Sequence, residues 1–406
     1  MGMDSWMPSG MFLIHNAESI DKMGKKVAYL GKIQLSDVDF SYLHEAQRLR
    51  DITYVMEVSP RFMKGPAVNI QKVYPRSGVF KAVDIYPEFR KYADFIDVEK
   101  FYVANSCGRL WQLKAIWVNF LLLLFLIRQR FDVIHLAWPL NVYEFCLYVL
   151  KRKMLLTVHD PFPHSGLDTL IVRIRRKVAF ALVPRFVILN QAQRQDFLDY
   201  YGLPAERVIV SRLSSYTYLQ TVTADMRNVP EEGSYILFAG KISTYKGLDY
   251  LMPAMERVHE ACPDCRLIVA GGGSFHFDTT RYQALDYIEI RNRFIPDDEL
   301  VGLIRHAAFM VCPYTDATQS GVIMSAFAFY KPVIATNVGG LPEMVKDNCY
   351  GLIVKEKSVD ALSESIIKLW EGKSLLTSFS QQIEQNYGVG ELSWKQIAAD
   401  LCKEYD

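Results

Sequence analysis

Short runs of β-branched and aromatic residues recur through the first half of the chain: "KVAYL" from Lys26, "ITYVMEV" from Ile52, "FDVIHLAW" from Phe131, "MLLTVH" from Met154 and "RFVIL" from Arg185. Longer stretches with helical spacing separate several of them. Apolar runs without alternation, divided by helices, predict parallel strands covered on both faces. After a polar, irregular stretch from Ser211 to Gly233 the rhythm restarts with "YILFAG" from Tyr235, "RLIVAGGG" from Arg266, "FMVCPY" from Phe309 and "PVIAT" from Pro332. Two doubly wound α/β units follow, and 406 residues is the length that two such units need.

Composition narrows the function. Forty-six basic against 45 acidic side chains leave a net charge of +1, which argues against nucleic acid as the partner. Seven cysteines, an odd number scattered over a long chain, fit a reducing compartment, and the expectation is a cytoplasmic protein. Cys262-Pro-Asp-Cys265 has redox or zinc spacing but no second Cys/His pair nearby, so it reads as a helix-to-strand turn. The opening residues lack the basic-then-apolar order of an export signal. The most apolar segment, Ala115 to Ile127, is too short to span a bilayer. With Arg128, Arg130 and the run Arg173, Arg175, Arg176, Lys177, it suggests a peripheral membrane contact; the alternative is a buried helix beside a solvated basic face.

Ligands of open α/β sheets bind beyond the carboxyl ends of the strands. Four segments stand there: "GKISTYKG", "GGGSFH", "HDPFPHSG", and the loop that opens "TDATQSGVIMSAFAFYKPVIATNVGGLPE". In the last, Val322, Ala326 and Phe329 mark one helix face, and Ser320-Gly321 would present free backbone N–H groups to an anion such as phosphate. Lys241 and Lys246 flank a short turn, where they either converge on a diphosphate or are solvated; Gly240 would permit close approach. The glycines at 271 to 273 lack the dinucleotide frame and read as a cleft-lining turn, which weakens a nicotinamide-dependent oxidoreductase reading. His159, Asp160 and His164 end a first-unit strand, where a histidine either meets a sugar hydroxyl or leaving group or is a structural donor. Asp37 and Asp39 read as loop acids, with no catalytic metal expected.

Taken in order, "ILFAGKISTYKGLDYLMPAMERV", "CRLIVAGGG", "RFIPDDELVGLIRHAAFMVCPY" and "TQSGVIMSAFAFYKPVIATNVGGLPEMVKDNCYGLIV" resemble the C-terminal half of the retaining glycosyltransferase family 4, over about residues 234 to 370. The first half resembles it more loosely, through "FDVIHLAWPL" and "LLTVHDPFPHSG". The resemblance implies a GT-B fold, two Rossmann-like doubly wound domains facing across a cleft. The expected division is an acceptor domain over 1–213, a nucleotide-sugar domain over 214–385, and a C-terminal helix over 386–406 that crosses back to the first.

By the same resemblance Lys241, where the family usually has arginine, and Lys246 meet the diphosphate. Backbone near Arg293 and Phe294 meets the base, and Thr318, Gln319, Ser320 and Gly321 hold the sugar-diphosphate. His159 matches the family's "HD" and belongs near the transferred sugar or the acceptor. The paired glutamates of many members are replaced by Ala317 and Ser325, as in a subset with a "TQSGV"-like loop among polysaccharide-assembly enzymes. The implied activity is metal-independent, retaining transfer from a nucleotide-diphosphate sugar, which is the donor and not a cofactor, to a saccharide or lipid-linked acceptor in bacterial-type glycan assembly. The alternative is a non-catalytic partner or scaffold of the same fold.

Overall fold

A computed structural model describes residues 24–108, 113–162 and 169–406. Its strands are β1 (Val27–Lys32), β2 (Ile52–Val58), β3 (Gly78–Lys81), β4 (Phe101–Asn105), β5 (Val133–Leu136), β6 (Met154–Val158), β7 (Arg185–Ile188), β8 (Val208–Val210), β9 (Tyr235–Ala239), β10 (Arg266–Ala270), β11 (Ile288–Arg291), β12 (Met310–Cys312), β13 (Val333–Thr336) and β14 (Gly351–Val354). The first eight form one sheet in the order β3-β4-β2-β1-β5-β6-β7-β8, parallel except for β3. The other six form a wholly parallel sheet, β11-β10-β9-β12-β13-β14.

Strands buried on both faces need no alternation, and every residue of β5, β6, β9, β12 and β13 is buried. Helix Leu113–Arg128, the 3₁₀ segment Val142–Lys153 and helix Leu170–Leu182 share one apolar core with one face of the first sheet, through Val118, Leu122, Leu147 and Phe180. Helix Ser36–Leu49 covers the opposite face, where the C-terminal helix Trp394–Lys403 packs on it. There Tyr405 Oη lies 2.7 Å from Tyr42 Oη and 2.6 Å from His135 Nδ1. Cys262 and Cys265 form the turn from helix Leu248–Ala261 into β10, with the Cys265 N–H donating to the Cys262 carbonyl at 3.0 Å.

The parallel strands of each sheet reverse their order once, between β1 and β5 in the first and between β9 and β12 in the second. Such points part the loops at the carboxyl edge and open a crevice there. The loops that follow β9 and β12 are Gly240–Lys246 and Pro313–Ser320, two of the segments marked by sequence.

Candidate functional site

The crevice of the second domain is built by backbone meeting backbone. Gly240 ends β9 at φ +118° and Gly271 ends β10 at φ +153°, in the region that favours glycine. A Cβ on Gly271 would stand 1.9 Å from the Gly240 carbonyl oxygen, so this contact requires a bare backbone. A Cβ on Gly240 would meet Val322 at 3.2 Å, which brings the loop after β9 against the start of helix Gly321–Phe327. Gly272 lies against the backbone of Arg293 and Phe294, at 3.3 and 3.4 Å from an added Cβ. The loops after β9, β10, β11 and β12 thus meet at one edge.

The two lysines occupy different environments. Lys241 is exposed, directly beyond Gly240. Lys246 is only 9% exposed, with Nζ 3.5 Å from the centroid of the Tyr314 ring and 5.0 Å from that of Tyr245. Burial pulls its ammonium pKa down to about 8, against a small opposing effect of the Cys312 thiol. No carboxylate pairs with it among the described residues. Tyr314 carries the contact onward, its Oη lying 3.2 Å from Ser320 Oγ, at the residue that precedes the helix. A nearly buried cation on an aromatic ring, beside a loop of small residues, is arranged to gain an anionic partner.

The loop Thr318–Gly321 is tied down on all sides. Thr318 and Ser320 are buried, and the Thr318 carbonyl accepts from the Gly340 N–H at 3.2 Å. The Gln319 side-chain amide is engaged across the domain gap, where Nε2 donates to the Leu189 carbonyl at 3.0 Å. The buried face of helix Gly321–Phe327 consists of Ile323, Met324, Ala326 and Phe327, so it differs from the Val322, Ala326, Phe329 face read from spacing; Val322 turns to Gly240 instead. Ser325 Oγ donates to the Gly321 carbonyl at 3.0 Å.

Gly321 has a further reason to be small. A Cβ there would stand 2.8 Å from Tyr216 Oη, and Tyr216 is fixed by its N–H donating to the Met324 carbonyl at 3.1 Å. Neighbouring protein, in addition to any ligand, fills the space where a side chain would project. Gly321→Val is therefore expected to destabilise the fold by about 1–3 kcal/mol through overpacking. A thermal melt checks this, and an unchanged midpoint would mean that Tyr216 yields freely.

The first domain contributes His159, which directly follows β6. Val158 pairs with Ile188 in register, so His159 and Leu189 are neighbours across the sheet edge, about 5 Å apart by strand spacing. Leu189 in turn accepts from Gln319 of the second-domain loop. Its ring stacks on Trp138, 6.3 Å between centroids, and its buried Nε2 finds no partner among the described residues. Burial lowers its pKa to about 4, against the opposing charge of Asp160, so the ring is neutral at physiological pH. His164 lies outside the described residues.

Arg293 is turned from the crevice toward Glu299, with two charge-assisted hydrogen bonds of 2.7 Å, while Phe294 is 71% exposed beside it. Glu343 also bridges the domains, accepting from the N–H groups of Gln191 and Ala192 at 3.2 and 3.1 Å.

One cluster escapes a reading of the sequence, and a second is misplaced by it. At the strand reversal of the first sheet, Lys32 is held between Glu57 and Glu144, the latter at 2.5 Å. Burial opposes the Lys32 charge, but the two carboxylates outweigh it and hold the ammonium well above its usual pKa. Asp37 and Asp39, read as loop acids, instead lie in the first turn of helix Ser36–Leu49. Burial pushes their pKa values up to about 7 and about 8, and Asp297 of the second domain adds to the effect on Asp37. Only the lysine between two acids and the capping residues of the 3₁₀ segment could have signalled the first cluster, and these lie far apart in sequence.

Comparison with known proteins matches residues 233–372 to the family described as "Glycosyl transferases group 1" and residues 82–211 to "Glycosyltransferase Family 4". The D-inositol 3-phosphate glycosyltransferase of Corynebacterium glutamicum is 27% identical over 234 residues, 53% of this chain and 56% of that protein. The chain thus spans little more than half the length of this curated relative. Among solved structures, Anabaena HepE in complex with UDP-glucose aligns with a TM-score of 0.64 at 14% identity, over 94% of this chain and 99% of its own. Sucrose-phosphate synthase from Thermosynechococcus elongatus gives 0.66 at 15% identity, over 94% and 98%. At such identities the likeness is one of fold: two Rossmann-like domains of the GT-B type.

Proposed function

The chain belongs to the group 1, family 4 glycosyltransferases, and from that premise we propose that it moves a sugar, with retention of anomeric configuration, from a nucleoside diphosphate sugar to a saccharide or lipid-linked acceptor in glycan assembly. The observation that carries the reading is Lys246, a nearly buried cation with no carboxylate partner among the described residues, set beneath the loop at the strand reversal of the second sheet. A diphosphate seated over this loop gains Lys246 from below, the exposed Lys241 from the side, and the backbone of Ser320 and Gly321. Arg293 and Phe294 supply backbone to the base.

Departure of the diphosphate from the anomeric carbon builds negative charge on the leaving oxygen as the sugar becomes oxocarbenium-like. Lys246 and Lys241 offset that charge. The leaving phosphate accepts the acceptor's proton, so no side-chain nucleophile is required. Neutral His159, whose Nε2 has no partner among the described residues, is suited to hold a hydroxyl of the transferred sugar or the acceptor. Gln319, Ser320 and nearby backbone take over part of what a glutamate at Ala317 or Ser325 does in relatives. The reaction belongs in the cytoplasm, at the inner face of the membrane where the acceptor is lipid-linked.

The test is release of nucleoside diphosphate from uridine, guanosine and adenosine sugar nucleotides, beginning with UDP-glucose because HepE is solved with it. Turnover of one donor is expected, and His159→Ala should lower kcat about a hundredfold with little change in donor KM. No release and no thermal stabilisation by any sugar nucleotide would overturn the enzymatic reading in favour of a non-catalytic partner.

A further inference from the structure

Helix Leu113–Arg128 is apolar on both sides. Ala115, Val118, Leu122 and Leu126 are buried against the first sheet. On the outer side Leu113, Ile116, Trp117 and Phe120 follow the spacing of a single helix face and are all exposed, Leu113 by 84%. The adjoining elements repeat the feature, for Val142 opens the 3₁₀ segment, and Leu170 and Ile171 open helix Leu170–Leu182, each more than half exposed. These elements lead into β5, β6 and β7 and run against the strands, so their first turns lie at the carboxyl edge of the sheet. That is the edge that carries His159.

Charge accompanies the apolar surface. Near their first turns the elements expose Lys114 and Arg173, with Lys177 further along, while Arg128 and Lys151 to Lys153 close two of them at the opposite end. Their single acidic residue, Glu144, is buried and paired with Lys32. The three elements thus carry exposed positive charge with no exposed acid of their own. A second copy docked here would set like charge against like. An anionic bilayer offers the opposite: negative headgroups for the lysines and arginines, an acyl boundary for leucine and isoleucine, and an interfacial zone in which tryptophan is favoured.

We infer that the first turns of Leu113–Arg128, Val142–Lys153 and Leu170–Leu182 form a docking surface that seats the cleft edge of the first domain on an anionic lipid bilayer. The inference deepens the reading of a lipid-linked acceptor and rests on it for the purpose of the contact: a headgroup-borne acceptor would enter the crevice from the membrane side. No helix among the described residues is long and apolar enough to cross a membrane, so the attachment is by surface contact.

The full chain is mixed with vesicles of phosphatidylcholine alone or with phosphatidylglycerol added, and floated on a density gradient without any sugar nucleotide. Binding is expected to the phosphatidylglycerol vesicles only, to weaken in high salt, and to be accompanied by a blue shift of emission that Trp117→Phe removes. Ile116→Glu with Trp117→Glu should lower vesicle binding at least tenfold while thermal stability and nucleoside diphosphate release persist, since both side chains are exposed and belong to the first domain, outside the donor loops. No flotation at low salt, or flotation unaffected by the double substitution, would overturn the surface. So would a dimer in solution that the same substitutions dissolve, which would assign the face to a second copy. Because flotation uses no donor, failure of docking and failure of transfer are read separately.

Discussion

Lys246→Met is expected to lower kcat/KM by about 100- to 1,000-fold while leaving the melting temperature unchanged or raised. The first part follows from removing a cation aimed at developing phosphate charge, for which losses of about that size are typical. The second follows from the cost of the lysine in the absence of ligand. Its ammonium is nearly buried over Tyr314, and burial draws its pKa down to about 8 from 10.5. A lowered pKa means that the folded state binds fewer protons than the unfolded chain between about pH 8 and 10.5, so wild-type stability should rise across that window; methionine fills similar space and should abolish the rise. Donor binding requires the charged form, so donor affinity should fall as pH passes about 8. Kinetics and thermal melts over pH 7 to 10 check all three, and a methionine variant that is both active and less stable would make Lys246 a packing residue. Lys241→Ala, at an exposed position, should have a smaller effect on turnover and none on stability.

The sequence already displays the strands that the sheets bury. The runs near 27, 52, 131, 154, 185, 235, 266, 309 and 332 become β1, β2, β5, β6, β7, β9, β10, β12 and β13. Of the five strands without a run of their own, β3, β8, β11 and β14 are sheet edges. Edge strands have one partner and shorter or more polar segments, as Glu289 and Arg291 in β11 illustrate, so apolar patterning marks them weakly. The fifth, β4, is interior and reads "FYVAN", as long as β6 and β9, so its length does not set it apart from the strands that were legible. In the crevice, strand–loop–helix order is local, which is why Lys241, Lys246 and the Thr318–Gly321 loop were legible. Whether a side chain faces the crevice is a tertiary matter. Gln319 bonds to Leu189, and Arg293 turns to Glu299, for reasons that lie 130 residues away in one case and on the next helix in the other. Sequence spacing carries no record of them.

Asp39→Asn is expected to be more stable than wild type at pH 8 and about equal near pH 4. The carboxyl is fully buried, accepts from Tyr29 Oη and Tyr54 Oη at 2.9 Å each, and packs so closely on β1 that a Cβ on Gly31 would clash with it. Burial raises its pKa to about 8 in spite of those two hydrogen bonds, with the charge of nearby Asp37 adding to the shift. In the unfolded chain the group titrates near 3.8. Between about pH 4 and 8 the folded state therefore holds a proton that the unfolded chain has lost, and stability falls as pH rises, by up to about 1.4 kcal/mol per unit for one such group. Asparagine stays neutral, keeps an acceptor for one tyrosine and offers a donor to the other, so its stability should lack this contribution. Asp37, raised to about 7 by burial and by Asp297 across the domain gap, falls in the same direction, so the variant should retain part of the slope. Urea melts of both proteins from pH 4 to 8 measure the difference. Parallel curves would mean that Asp39 is ionised in the native state, with the two tyrosine hydroxyls stabilising the carboxylate more than burial penalises it.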